Sequence, residues 1–571
     1  MKNKILMFIL KYVIPLIGIT MLFDLDSNKY SSIPVLFVLF GLYSLYKFCS
    51  TFKISKRQKN VFTVLAIIYS MFIVFGKNID SNYMNYNYSF LNDWFKILVE
   101  LYSISVVAYY VNVFIYNKIQ LLPKTDNVSN KKKILIAFSI MIAIWGIYFI
   151  NFYPGLMSPD SLNQWGQASG KIVLSNHHPI AHTLFIKIFY TIGNHFNNAN
   201  LGVALYSLAQ MSILAGTFAY ILNYFYKRNC NKYLIYVFVA YYAFVPIFGF
   251  YSVTMWKDVL FGAFSTILML QIYKYIEEDS FSLIDKVVLM LSIILTCLFR
   301  TNGLYAVLVL DIIIIYVFRK KMKQVLLLFA VPTLCAYIIV SPVYSACGIK
   351  KTEFTENIGI FIRQIYGTIY SGRHIDSKSI NYLEKLVDTD EALEAYTPYD
   401  DHIKSVHSYD NEFLEKNKGE FLLTWAKIGI HHPVIYSELY LKSTYGFWYP
   451  EAQGYLVHRW PTAENMYEIQ STDFNKVNVN GYFEKSYDMP VIKYLLSDAF
   501  CLWILLFNMA IKIINKKYKY IIPMLLPFFV WGTIVIATPL SYQPRYTFML
   551  YCAVSMIIII GLNSIKRNEK I

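Results

Sequence analysis

Hydrophobic positions along the chain fall into runs of about 17 to 25 residues with short polar connections between them, the length a helix needs to cross the apolar core of a bilayer. The runs occupy 5–23, 32–48, 61–76, 92–115, 134–152, 201–225, 233–252, 257–275, 286–299, 303–318, 325–345, 493–514, 519–537 and 546–563. They predict an all-α polytopic membrane protein with about 14 transmembrane helices. The runs 286–299 and 303–318 are short and divided only by Arg300-Thr301-Asn302-Gly303, which predicts a tight helical hairpin.

Four regions follow from this spacing: four helices over 1–133, a membrane core over 134–345 whose first long connection is 153–200, a large polar region at 346–492, and C-terminal membrane helices over 493–571. Within 346–492, Ser377 precedes Ile380, Leu383, Leu386 and Val387 at helical spacing, and Phe421, Leu422, Trp425 and Ile428 follow Gly419-Glu420 in the same way. Pro433 to Trp448 is aromatic-rich and suits a helix lying at a membrane interface. The region is therefore expected to be a mainly helical domain.

Basic residues distinguish the two ends of the helices. Lys53, Lys56, Arg57 and Lys59, then Lys131-Lys132-Lys133, Lys227-Arg228, Arg319-Lys320-Lys321, Lys516-Lys517 and Lys566-Arg567 all fall in alternate connections. By the positive-inside rule both termini are cytoplasmic, and the connection 153–200, the region 346–492 and the segment Ser541–Tyr546 are extracytoplasmic. The N-terminal Lys2-Asn3-Lys4 and the run after it lack a small-residue cleavage site, so that run is expected to stay as a first helix.

Composition agrees with a membrane protein, since 56% of residues are hydrophobic and only 15% charged. A net charge of +16 would suit nucleic acid, but its placement between apolar runs assigns it to membrane orientation instead. The seven cysteines show no CxxC pair, which argues against a zinc site or a disulfide framework. Heavy use of Ile, Lys, Asn and Tyr fits an AT-rich bacterial genome, and hence a bacterial plasma membrane.

Candidate chemistry gathers on the outer side. Tyr153-Pro154-Gly155-Leu156-Met157-Ser158-Pro159-Asp160 follows an apolar run and leads to His177-His178-Pro179. A carboxylate and imidazoles at a membrane boundary are costly to bury without a role. Asp160 can take a proton, ligate a divalent cation such as Mg or Mn, or simply cap the helix that follows. The proline after His178 implies a turn in which that ring faces a cavity, although a structural histidine fits as well. Asp258 is favourable at a helix start, whereas Lys257 beside it is not and calls for a phosphate or an acidic partner. Arg300 and Arg545 also stand at outer helix ends, where a guanidinium either snorkels or holds a phosphate bidentately.

At these residues the chain resembles the GT-C superfamily of integral-membrane glycosyltransferases. Asp160 and His178-Pro179-Ile180 stand where the superfamily has its acidic residue and His-Pro segment, Asp258 opens a helix, Arg300 precedes Gly303 and an apolar run, and Arg545-Tyr546 opens a late helix. A single Asp replaces the commoner acidic pair, His-Pro-Ile replaces His-Pro-Pro, and four helices precede the core. The resemblance implies glycosyl transfer of the inverting type, from a polyprenyl-phosphate-linked sugar to a cell-envelope glycan, teichoic acid or lipid acceptor. It implies catalytic roles for Asp160 and His178, donor-phosphate contacts from Lys257, Arg300 and Arg545, and substrate contacts from Trp256, Asp258, His177 and Tyr546. A lipid-linked polysaccharide flippase, or an envelope polysaccharide polymerase or ligase, would share the outer cations.

Overall fold

Each apolar run folds as helix in the computed structural model, which describes residues 2–25, 32–82, 90–119, 125, 132–278, 280–452, 462, 464–471, 478–537 and 543–562. The predicted features at Lys131, Ser541-Tyr542 and Lys566-Arg567 lie outside the described residues. Among the described residues, nine helices are long and apolar enough to cross a membrane, or ten if Lys232–Phe244 and Pro246–Ser252, bent by 53°, form one span. Pro246 causes the bend: it has no N–H to donate and forces Val245 into an extended conformation (ψ 121). Pro34–Cys49, Leu283–Phe299, Thr301–Val317 and Asp498–Ile514 are shorter apolar helices. Between the second and third of these, a single extended residue, Arg300 (φ −153, ψ 134), makes the hairpin.

Large apolar side chains such as Phe37, Phe40, Leu135, Ile188 and Ile312 remain exposed on the outer faces of the helices, as a bilayer allows. Lys257–Glu277 and Pro544–Leu562 are the two most buried spans and form the centre of the bundle. The N-terminal helices attach to Asp498–Ile514: the Tyr69 ring stacks on Trp503 with centroids 4.6 Å apart, and its hydroxyl donates to Trp503 O at 2.7 Å.

Ile180–His195 and Ala199–Lys227 cross where Gly193 meets Gly202. A Cβ on Gly202 would stand 2.7 Å from Phe189 O and 3.0 Å from Trp165 Cη2, so only glycine lets the backbones approach this closely. Gly202→Ala is expected to destabilise the fold by about 1–3 kcal/mol through overpacking, read as a lower midpoint in thermal unfolding of the detergent-solubilised protein.

The region after 346 has its own apolar core, with Ile362, Ile365, Leu383, Leu386, Leu414 and Phe421 fully buried together. Helices form at Ser377–Leu383 and Lys418–His431, as the spacing predicts, and the cap of the first is Asp376, whose carboxylate accepts from Ser379 N–H. Pro433–Thr444 is helical, but Tyr445, Phe447 and Trp448 are buried, and the indole N–H groups of Trp503 and Trp531 donate to Trp448 O (3.0 Å) and Phe447 O (2.9 Å). Burying these rings against the bundle fastens the polar region to the membrane helices.

Candidate functional site

Segments far apart in sequence are stitched together at one end of the bundle. Leu156 N–H donates to Val253 O (2.9 Å) and Met255 N–H donates back to Leu156 O (3.0 Å), so the chain leaving helix Lys132–Asn151 lies beside the start of helix Lys257–Glu277. Ser158 caps helix Pro159–Ser169, with its hydroxyl accepting from Ser161 N–H and from the Trp256 indole N–H at 2.8 Å. Ser161 Oγ donates to Met255 O at 2.8 Å. With a serine cap and a proline at the first helical position, this helix start needs nothing from Asp160. The capping alternative for that carboxylate is thereby overturned.

Asp160 instead faces a cavity, and its Oδ2 accepts from Arg545 Nη1 at 2.9 Å. The Arg545 guanidinium lies over the Trp256 ring (5.0 Å) and the Tyr546 ring (4.9 Å). Arg300 Nη1 stands 2.6 Å from Asp258 Oδ1 and donates to Tyr546 O at 3.0 Å. Lys257 Nζ donates to His178 Nδ1 at 3.1 Å, and among the described residues no carboxylate is within ion-pair distance of it. The three cations proposed from sequence thus meet at one place.

The cavity holds about 1090 Å³. Asp160, His177, His178, Lys257, Arg300, Arg545 and Tyr546 line its polar side. Leu304, Leu308, Val340, Ile534 and Ile536, from three apolar helices, line the other. The region after 346 contributes a charged roof of Lys350, Lys351, Glu356, Asp401 and Lys404. Six cations therefore face three carboxylates on the wall, a net positive potential. Asp258 and Trp256, expected as substrate contacts, do not line it. Asp258, 1% exposed, is the counter-charge behind Arg300, and Trp256 is the buried plate on which Arg545 rests.

Burial opposes ionisation of Asp160, but the charges of Arg545 and Lys257 outweigh it and hold the carboxyl well below the usual carboxylate range. Burial and the neighbouring Lys257 push His178 far down, so its ring is neutral at physiological pH. A resident divalent cation does not fit. Among the described residues no three His, Cys, Asp or Glu side chains are grouped to hold one, and at Asp160 it would meet a single carboxylate already serving Arg545, with Lys257 beside it.

His182 is a residue that sequence reasoning passed over. It is fully buried, with Nδ1 2.9 Å from Gln164 Oε1 and Nε2 2.7 Å from the Tyr206 hydroxyl. The Tyr206 hydroxyl donates to Gln210 Oε1, and Gln210 Nε2 donates to the carbonyls of Tyr251, Ser252 and Thr254 at 3.1, 3.0 and 2.7 Å. Gln164 lies one turn after Asp160, so this chain of bonds fixes the rotation of the helix that presents the carboxylate. Burial pushes His182 down to about 3, which keeps the relay neutral. The residues of the roof were not singled out either: Asn176 N–H donates to Lys350 O (2.8 Å) and Lys350 N–H to Leu174 O (3.1 Å), fastening it beside His178.

No curated protein matches the chain, and no solved structure does. Residues 165–570 match a family model described as a family of unknown function (DUF6020), a stretch that contains His178, Lys257, Arg300 and Arg545 and begins just after Asp160. The match spans well over half of the sequence, and the chain belongs to that family.

Proposed function

We propose that this protein is a multi-pass membrane glycosyltransferase that moves a sugar from a polyprenyl-phosphate donor to a cell-envelope acceptor. The observation that carries the reading is a single cavity with two unlike walls, one bearing Lys257, Arg300 and Arg545 and the other made of apolar helix faces at the lipid boundary. A phosphate on a long apolar tail matches both walls at once, whereas a soluble nucleotide sugar would leave the apolar wall uncovered. The alternation of basic connections supports a cavity on the extracytoplasmic side of a bacterial plasma membrane, with both termini in the cytoplasm.

In this reading Lys257, Arg300 and Arg545 hold the donor phosphate. The acceptor hydroxyl oxygen bonds to the sugar C1, the C1–O bond to phosphate breaks, and its electron pair stays on the phosphate oxygen, where the cations stabilise it. The acceptor proton passes to Asp160. An incoming phosphate competes with Asp160 for Arg545, and a carboxylate released from that cation becomes the better base. Neutral His178, accepting from Lys257, aims the ammonium.

Arg545→Gln tests this coupling through pH. The Arg545 charge lowers the Asp160 pKa, so removing it raises that pKa towards or above the ordinary value of about 3.9. Residual transfer in the variant should therefore fall off at higher pH than in the wild type, in addition to weaker donor binding. An acid limb in the same place would separate Asp160 from the chemistry.

The flippase reading needs charged groups spaced along a route through the bilayer. Between the cavity and the row of Lys274, Glu277 and Arg319 at the far end, helices 257–277, 301–317 and 522–537 carry one carboxylate and no cation: Asp311, which accepts from Thr333 Oγ1 at 2.6 Å. That spacing favours the enzyme. The test is purified protein in vesicles with a radiolabelled polyprenyl-phosphate sugar, following transfer to envelope glycan and slow hydrolysis of the donor by water. Neither reaction, together with movement of the labelled lipid across the vesicle bilayer, would give the site to a flippase.

A further inference from the structure

A second ligand site lies at the opposite end of the bundle, and it does not depend on the proposed transfer reaction. Helices Lys132–Asn151, Ala199–Lys227 and Lys232–Phe244 enclose a groove of about 420 Å³. Ala137, Ala219, Leu222 and Ile235 line it as buried residues, and Ile136, Ile140, Ala240 and Phe244 line it as exposed ones. Ile136, Ile140 and Phe244 stay exposed on faces that a bilayer would cover. From Tyr236 to Phe244 the groove runs about 12 Å along the helix axis, from the bundle end towards its middle.

Polar groups collect at one end only. Lys133, Asn223, Tyr226 and Tyr236 line the groove there. Lys133 Nζ is hydrogen-bonded to the Tyr226 hydroxyl and lies 4.2 Å from the centroid of that ring, and Tyr236 stands beside the same ammonium. No carboxylate among the described residues forms an ion pair with Lys133. Tyr226 is about 30 Å along its helix from Tyr206, so this end is remote from the Asp160 cavity.

We propose that the groove holds one anionic phospholipid, with its phosphate against Lys133 and Tyr236 and an acyl chain along the apolar residues that line the rest of the groove. A cation that has no ion-pair partner among the described residues and stands beside a phenol hydroxyl is a phosphate contact, and the apolar channel below it at membrane depth takes a hydrocarbon chain. A zwitterionic choline lipid suits the site less well, because it brings its own cation to a lysine. The lipid would steady helix Lys132–Asn151, which leads directly into the segment carrying Asp160.

The full-length protein, equilibrated with vesicles of equal phosphatidylglycerol and phosphatidylcholine, tests this by native mass spectrometry of the lipids it retains. The wild type should retain phosphatidylglycerol in preference. Lys133→Gln, a surface change that leaves the core intact, should lower that retention about five-fold, the factor one lysine supplies at an anionic surface, without changing phosphatidylcholine. Ala240→Phe should fill the groove and remove retained lipid of both kinds. Equal retention of the two lipids by the wild type, retention of neither, or phosphatidylglycerol retention unchanged in Lys133→Gln would each overturn the proposal. If Ala240→Phe does not yield folded protein, Tyr236→Phe replaces it, and phosphatidylglycerol retention unchanged in that variant likewise overturns the proposal.

Discussion

Asp160→Asn is expected to lower sugar transfer by about 10²-fold or more while donor lipid still binds. Asparagine keeps the size of the side chain but can neither take the acceptor proton nor carry the negative charge, and general-base contributions have this magnitude. Binding survives because Lys257, Arg300 and Arg545 remain, and Arg545 is freer to meet the phosphate once its carboxylate partner is gone. Folding also survives: Ser158 provides the helix cap, Gln164 and His182 hold the helix rotation, and the Asp160 side chain keeps a third of its surface exposed to the cavity. Near-normal transfer by Asp160→Asn, measured alongside donor binding on the same preparation, would reduce this carboxylate to a positioning partner for Arg545.

Arg300→Ala should damage the protein itself. It leaves Asp258, 1% exposed, as a buried carboxylate without its cation, and breaking such a pair from one side costs about 3–5 kcal/mol. Asp258→Asn combined with Arg300→Met removes both charges and should restore most of the stability, because desolvating the pair is itself expensive. The comparison is made by thermal unfolding and by yield of monodisperse protein. The double variant should fold yet bind donor lipid poorly, which separates the structural work of Asp258 from the ligand contact of Arg300. A double variant no more stable than Arg300→Ala would mean that packing, not charge, explains the loss.

The helices and the cations were legible in the sequence for one reason: a charge at the boundary of an apolar run is costly unless something partners it, so Lys257, Arg300 and Arg545 stood out. Their partners were not legible. Asp258 entered as a ligand contact only through the family resemblance, since an acid at a helix start is favourable there by itself, and only the fold turns it towards Arg300. Trp256 looked similar, yet its indole N–H is taken by Ser158 and its face by Arg545. Gln210 did leave a signal. An amide in the middle of an apolar run must find partners inside the protein, and it ties three carbonyls next to Lys257. The roof residues Lys350, Lys351 and Lys404 left none, since their distance in sequence from His178 and Asp160 is bridged by a single pair of backbone hydrogen bonds and by packing of the polar region. Among the described residues nine or ten helices are long enough to span on their own, and Leu283–Phe299 and Thr301–Val317, which Arg300 divides, are 17 residues each.

The most direct test is an experimental structure of the full-length protein with a polyprenyl-phosphate sugar bound. The phosphate should lie in the cavity within hydrogen-bonding distance of Arg545 and Lys257, with the apolar tail against Leu304, Leu308 and Ile534 and with Asp160 turned towards the sugar C1. A lipid whose phosphate binds outside this cavity, with Arg545 still paired to Asp160 and Lys257 still on His178, would contradict the assignment.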